Sequence, residues 1–181
     1  MPRILFTLAL LSLVLMGAAL VIGLSIGDLY EHPSDDTLHL TTVHRLTGLA
    51  AALAVVFVQC IVVTYFIGTG RWCKEVVETY QLDPALIRES TLLKRRAFPW
   101  AVLAMLAVVG VAALGAAADP ATGRAGTQSW ADVHLFAALG GMAFIGWTYY
   151  LAWNYVAANQ RVIQRVLQQV AKVRDQRGLS E

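Results

Sequence analysis

The chain has 181 residues, of which 57% are hydrophobic and only 14% are charged. Soluble domains have about 25% charged residues, so this composition excludes a typical soluble enzyme. It also excludes a disordered chain, because disorder requires low hydrophobicity. Two cysteines cannot form a disulfide scaffold, and a net charge of +2 indicates no basic surface for nucleic acid. The composition therefore predicts an integral membrane protein in contact with the lipid bilayer.

Four long stretches of the chain carry no charged residue. They lie between Arg3 and Asp28, between Arg45 and Arg71, between Arg96 and Asp119, and between Asp132 and Arg161. Each exceeds the roughly 20 residues that a helix needs to cross about 30 Å of hydrocarbon. The first is also longer than the apolar core of a signal peptide, so we expect it to be retained. The sequence predicts an all-α, single-domain four-helix bundle over residues 1–181, with spans at about 4–27, 40–70, 97–118 and 131–160.

Basic residues are concentrated on one side of the four predicted spans. All but two of the 14 Lys and Arg residues fall at the N-terminus, in the connection 71–96 or in the tail 161–181. The two exceptions are Arg45 and Arg124. Because cytoplasmic loops are rich in Lys and Arg, we expect an up-down-up-down bundle in a bacterial-type inner membrane, with both termini in the cytoplasm.

The helical pattern continues beyond the spans on the basic side. Asp83-Pro84 is typical of a helix start, from which one helix can run into the third span. The tail continues the fourth helix to about Lys172. It carries an apolar stripe along one side, made of Val162, Ile163, Val166, Leu167 and Val170. We expect this stripe to pack on the connection 71–96, and binding of a partner is the alternative.

The second predicted hairpin resembles the first when the sequence is shifted by 90 residues, the separation of His44 and His134. The same shift aligns Arg71 with Arg161, so the spacing from His to Arg is equal in both copies. These matched polar positions in an apolar background predict a tandem duplication of a helical hairpin, with an approximate twofold axis along the membrane normal.

His44 and His134 are predicted to lie at equal depth near the outer face. Diagonal helices in such a bundle are roughly 12–14 Å apart, a gap that two imidazoles and one iron would fill at nitrogen–metal distances of about 2 Å. Arg45 could bind a haem propionate, and Thr41, Thr42 or a backbone carbonyl could orient an imidazole. Small residues on the same helix faces would leave room for the haem; they are Thr47, Gly48, Ala51, Ala137, Ala138 and Gly141.

Two other interpretations of the histidines remain open at this stage. Both lie near the predicted outer edge of the hydrocarbon, where a partly solvated histidine can serve packing or hydrogen bonding alone. A copper or zinc site is the other alternative. Its candidate ligands are His32, His39, Asp35, Asp36 and Asp132.

With histidines on the second and fourth helices, the chain resembles the four-helix membrane b-type cytochromes. The likeness is to one half of the haem A synthase type of bundle, and the matching residues are His44 and His134. The resemblance implies a haem held between these histidines. That family has a glutamate shortly before the first histidine, where this sequence has Thr41. The resemblance therefore implies a haem carrier rather than a haem A synthase.

Together these features predict a membrane subunit that holds one haem b for electron transfer near the periplasmic face. A quinone or a redox protein would be its donor or acceptor, and further membrane subunits would be its partners. The alternative is an accessory or assembly subunit of a larger membrane complex, with structural histidines and no cofactor.

Overall fold

The computed structural model describes residues 1–178, and within this range the fold is all-α. Four long helices follow one another: α1 (Pro2–Leu24), α2 (Asp35–Tyr80), α3 (Ala85–Ala118) and α4 (Ala131–Gln176). Two short 3₁₀ turns, Pro120–Thr122 and Thr127–Trp130, connect α3 to α4. Each long helix is apolar enough to cross a membrane. The predicted all-α fold with four candidate spans is confirmed, and only positions 179–181 of the predicted tail lie outside the described residues.

The helix ends follow from local capping. Ser34 accepts a hydrogen bond from the backbone N–H of Thr37 at 3.2 Å, and two aspartates in the first turn favour the positive end of α2. The carboxylate of Asp83 accepts a hydrogen bond from the N–H of Ala85 at 2.8 Å. The helix start predicted at Asp83-Pro84 is therefore present one residue later, and α3 continues through Pro99 without ending there.

α2 and α4 have 46 residues each, which corresponds to roughly 70 Å of helix. This is more than twice the hydrocarbon thickness of about 30 Å, so one end of each helix extends beyond a membrane. These ends pack together with the start of α3, in a cluster made of Cys73, Val77, Leu86, Val162 and Val166. The prediction that the stripe on α4 packs against the connection between α2 and α3 is thus confirmed for Val162, Val166 and Val170, whereas Leu167 is exposed.

The buried positions of the two hairpins recur at fixed shifts. Leu5, Ala9 and Ser12 of α1 are buried, and so are Ala97, Ala101 and Ala104 of α3, each 92 positions later. In α2 and α4 the shift is 90, from Val55, Val58, Gln59, Val62 and Phe66 to Ile145, Thr148, Tyr149, Ala152 and Val156. Equivalent helices therefore bury equivalent faces.

α2 and α4 contact each other directly through these equivalent positions. Gln59 donates a hydrogen bond to Thr148, 89 residues later, at 3.2 Å. Asn159 donates to Thr69, 90 residues earlier, at 2.9 Å. The contacting pairs rise together in residue number along both helices, and they place the same region of α2 and α4 at the centre of the bundle.

Candidate functional site

The two predicted histidines lie next to each other in the structure. His44 is in the third turn of α2 and His134 is in the first turn of α4, and both are partly buried. Their ring centroids are 6.1 Å apart and their ring planes are nearly perpendicular, at 79°. We call the part of the bundle around them the histidine end. The structure therefore brings one imidazole from each hairpin into contact with the other.

The separation of the rings is compatible with a metal between them. An imidazole nitrogen binds a metal at about 2.0–2.1 Å and lies roughly 1 Å from its own ring centre. Two rings that share one metal therefore have centroids about 6 Å apart, close to the observed 6.1 Å. The same distance also falls within the 4.5–7 Å range of an edge-to-face ring contact. The centroid distance thus agrees with both a ligand pair and a packed ring pair.

Each imidazole lies against a glycine of the preceding helix. A Cβ atom added at Gly23 of α1 would come within 2.8 Å of Cε1 of His44. A Cβ added at Gly115 of α3 would come within 2.9 Å of Cε1 of His134. We call Gly23 and Gly115 the contact glycines. Only a residue without a side chain lets these rings lie so close to the neighbouring helix.

The backbone also orients the rings, and it does so unequally. Nδ1 of His44 donates to the carbonyl oxygen of Ala19 at 2.9 Å, which leaves the lone pair of Nε2 for a ligand bond. The backbone of Val111 lies near the ring of His134, at the position equivalent to Ala19, four residues before the contact glycine. Nδ1 of His134 is nevertheless buried with no partner of hydrogen-bonding geometry among residues 1–178. The two imidazoles therefore have different surroundings.

Arg45, the predicted partner of a haem propionate, is paired with a carboxylate of the protein. Arg45 is 43% exposed at its side chain and forms an ion pair with Asp119 at 2.7 Å. This pair ties the start of α2 to the end of α3, and Tyr30 adds a hydrogen bond from its hydroxyl to the carbonyl of Ala118 at 2.9 Å. Burial and the nearby Asp119 carboxylate both raise the pKa of Tyr30. Arg45 thus helps to hold α2 and α3 together at the histidine end.

The predicted small residues divide into two groups. Gly48 and Ala138 are half-buried, and a Cβ at Gly48 would meet no atom within 4 Å. A Cβ at Gly141 would come within 2.8 Å of the side chain of Val111. Gly141 therefore allows α3 and α4 to approach closely. The hydroxyl of Thr41, a predicted orienting group, donates to the carbonyl of Thr37 instead.

The residues predicted for a copper or zinc site do not assemble as a group. Among residues 1–178, the one cluster of three candidate ligands is Asp28, Glu31 and His32, and all three are exposed. The Asp28 carboxylate already accepts backbone hydrogen bonds from Glu31, Tyr30 and His32. These bonds, led by that from Glu31, lower the pKa of Asp28. The cluster is therefore explained by the role of Asp28, whose carboxylate stabilises the loop through these hydrogen bonds.

A backbone carbonyl was among the predicted orienting groups, but neither Ala19 itself nor the pairing of a glycine with each histidine was predicted from the sequence. The 90-residue shift places Gly23 opposite Ala113, so the recurrence of the glycine is hidden. A shift of 92 aligns Gly23 with Gly115, and it also aligns Arg3 with Arg95 and Phe6 with Phe98. A separate comparison of the odd-numbered helices could therefore have found both glycines.

Neither a protein-family model, nor a curated protein, nor a solved structure matches this chain. Its chemistry therefore has to be inferred from the histidine end itself. The arrangement offers two nitrogen ligands in an apolar bundle, each against a glycine of the neighbouring helix.

Proposed function

We propose that this chain is a membrane cytochrome subunit that holds one haem b between His44 and His134 and serves electron transfer. The observation that carries the proposal is the ring separation of 6.1 Å between imidazoles from the two hairpins. A second feature accompanies it, because a glycine of the preceding helix lies beside each ring. One imidazole from each hairpin, each beside a glycine, would supply two nitrogen ligands to a haem iron.

The residues present fit this group. Haem supplies one-electron redox chemistry when it is bound, and its potential depends on axial ligands, hydrogen bonds and burial. His44 and His134 would ligate the iron, and the carbonyl of Ala19 would hold the His44 ring in one tautomer. Because Gly48 and Ala138 are small, they would leave space for the haem beside α2 and α4. Because Arg45 is paired with Asp119, we no longer assign it to a propionate.

The orientation of the bundle is part of the same proposal. The α2–α4 contacts rise together in residue number, which supports an up-down-up-down order in which these two helices run the same way. The recurrent burial at shifts of 90 and 92 supports a tandem duplication of one hairpin. The basic ends 71–96 and 161–178 favour the cytoplasm. The histidine end would then face the periplasm.

The partners follow from this placement. Apolar helix surfaces are compatible with contact with the lipid bilayer. An electron donor or acceptor, either a quinone or a redox protein, would approach the histidine end from the membrane or from the periplasm. Other membrane subunits would complete the electron pathway, because one haem alone only relays electrons.

A spectrum of the purified full-length protein tests the proposal. We expect a Soret band, a reduced α-band and one haem per chain, and we expect His44→Ala and His134→Ala to abolish them. His39→Ala is the matched control, because His39 is an exposed residue of the same helix. Metal analysis of the same sample separates haem iron from a bare copper or zinc ion. A colourless wild-type protein from cells supplied with haem would contradict the proposal.

The second candidate function is an accessory or assembly subunit without a cofactor. It is favoured by the hydrogen bond from His44 to Ala19 and by the ring contact, because both can stabilise the bundle without a metal. In that case the wild type is colourless and His44→Ala lowers thermal stability. The basic cytoplasmic surface would then bind anionic lipid or another subunit.

A further inference from the structure

We infer that Gly23 and Gly115 are positioning residues that set the orientation of the two axial imidazoles, one for each hairpin. The inference rests on the proposed haem site and assigns a role to residues that neither touch the iron nor carry a reactive group. Each contact glycine belongs to the helix that precedes its histidine. Each hairpin would therefore contain both a ligand and the residue that orients it.

The distances support a specific role for these two glycines. An added Cβ would lie 2.8 Å from Cε1 of His44 at position 23, and 2.9 Å from Cε1 of His134 at position 115. Side chains in ordinary contact are about 3.4–4 Å apart. On the same two helices, a Cβ at Gly17 or at Gly110 would meet nothing within 4 Å. A general need for small residues in membrane helices would not produce this contrast.

The two positions would disturb their histidines differently. At position 23 the added Cβ would also lie 3.0 Å from Nδ1, the atom that donates to Ala19. The ring would have to turn or withdraw, and the hydrogen bond would lengthen. At position 115 the Cβ would lie 3.3 Å from both Nδ1 and Nε2 of His134, so the whole ring would be pushed away from α3.

These displacements have distinct electronic consequences. A hydrogen bond from the second nitrogen makes an imidazole a stronger donor to its metal and fixes its orientation. Stronger donation would favour the oxidised state of a bound haem iron, so the bond to Ala19 would lower its midpoint potential. Its loss in Gly23→Ala should raise the potential. Nδ1 of His134 has no partner of hydrogen-bonding geometry among the described residues, so Gly115→Ala should act mainly on ligand geometry and haem retention.

The first experiment compares four alanine variants of the full-length protein, purified from cells supplied with haem. We expect Gly23→Ala and Gly115→Ala to reduce haem affinity about tenfold or more, as changes around metal ligands do, and to shift the low-spin ferric EPR signal. Gly23→Ala should also raise the midpoint potential by more than Gly115→Ala does. Gly17→Ala and Gly110→Ala should match the wild type in all three readouts. Haem-replete contact-glycine variants with wild-type spectra and potential would overturn the inference.

A second experiment needs no haem. In the apoprotein, Gly23→Ala should lower Tm when His44 is present and should not lower it in the His44→Ala background, because the clash is then absent. The pair Gly115→Ala and His134→Ala should behave in the same way. Equal effects of the glycine substitutions in both backgrounds would show that the rings and glycines are not coupled. If the wild type is colourless but the effect of each glycine substitution still depends on its histidine, the haem proposal is refuted and the steric contact between glycine and ring is confirmed.

Discussion

At the scale of single residues, two buried amides in the bundle differ in how well they are satisfied. Asn159 is 0% exposed; it accepts a hydrogen bond from Ser90 at 3.0 Å and donates to Thr69 and to Tyr65. Gln59 is 1% exposed and donates to Thr148. The Gln59 Oε1 atom has no partner in the described part of the chain. Asn159 therefore stabilises a polar network, whereas Gln59 has one acceptor without compensation.

The two amides should respond in opposite ways to apolar replacement. Asn159→Leu removes three interhelical hydrogen bonds at about 0.6 kcal/mol each and leaves Ser90 unpaired, so we expect a loss of about 2–3 kcal/mol. Gln59→Met removes one weak bond and one unpaired acceptor, so the free energy of unfolding should stay within about 1 kcal/mol of the wild type. Unfolding in mixed detergent micelles measures both. A loss for Gln59→Met as large as that for Asn159→Leu would contradict this account.

At the scale of elements, the helices were predictable because lipid permits so few backbone structures. Uncharged runs that are long enough to cross the bilayer must be helical, and capping residues and apolar periodicity predicted their extensions. The width of the stripe on α4 was less predictable. Val162 and Val166 are fully buried, but Leu167 is 51% exposed. The connection between α2 and α3 covers only the residues of the stripe that are four apart, Val162, Val166 and Val170. The pattern of apolar residues on α4 does not show how wide the surface is that covers it.

This difference along the α4 stripe gives a direct test. Val166→Ala removes two buried methyl groups, and we expect a loss of about 2 kcal/mol in the free energy of unfolding together with faster proteolysis of the tail. Leu167→Ala, its immediate neighbour, should change stability by no more than about 0.5 kcal/mol. Thermal unfolding and limited trypsin digestion measure the two effects. If both variants lost the same stability, the stripe would be packed over its full width.

At the scale of the whole molecule, the polar residues of the sequence predict a repeat of the hairpin. Two histidines and two arginines stand out in an apolar chain. The shift found from the histidines missed the contact glycines, because α1 and α3 recur at a shift that differs by two from that of α2 and α4. Both helices are also rich in Gly and Ala, so a single matched glycine does not stand out. Contacts between a ring and a backbone depend on helix rotation, which single residues in such a background do not specify.

The proposed orientation can be measured on the intact protein. A fluorescent protein fused after Glu181 should fluoresce, because such fusions fold in the cytoplasm. A protease site inserted between Gly123 and Gly126, an exposed loop, should be cut when protease is added to spheroplasts. An insertion at Leu82, in the opposite connection, is the control and should be protected. Cleavage at Leu82 in sealed spheroplasts would contradict the proposed orientation and indicate the opposite one.

Covalent joining of the hairpins has a consequence for how this molecule can change over time. In a pair of identical, separate hairpins, every substitution beside a ring would occur twice. In one continuous chain each hairpin accumulates its own changes. Within residues 1–178, Nδ1 of His44 is bonded to the carbonyl of Ala19, whereas Nδ1 of His134 has no partner of hydrogen-bonding geometry. Selection can therefore adjust one face of the ring pair while leaving the other untouched.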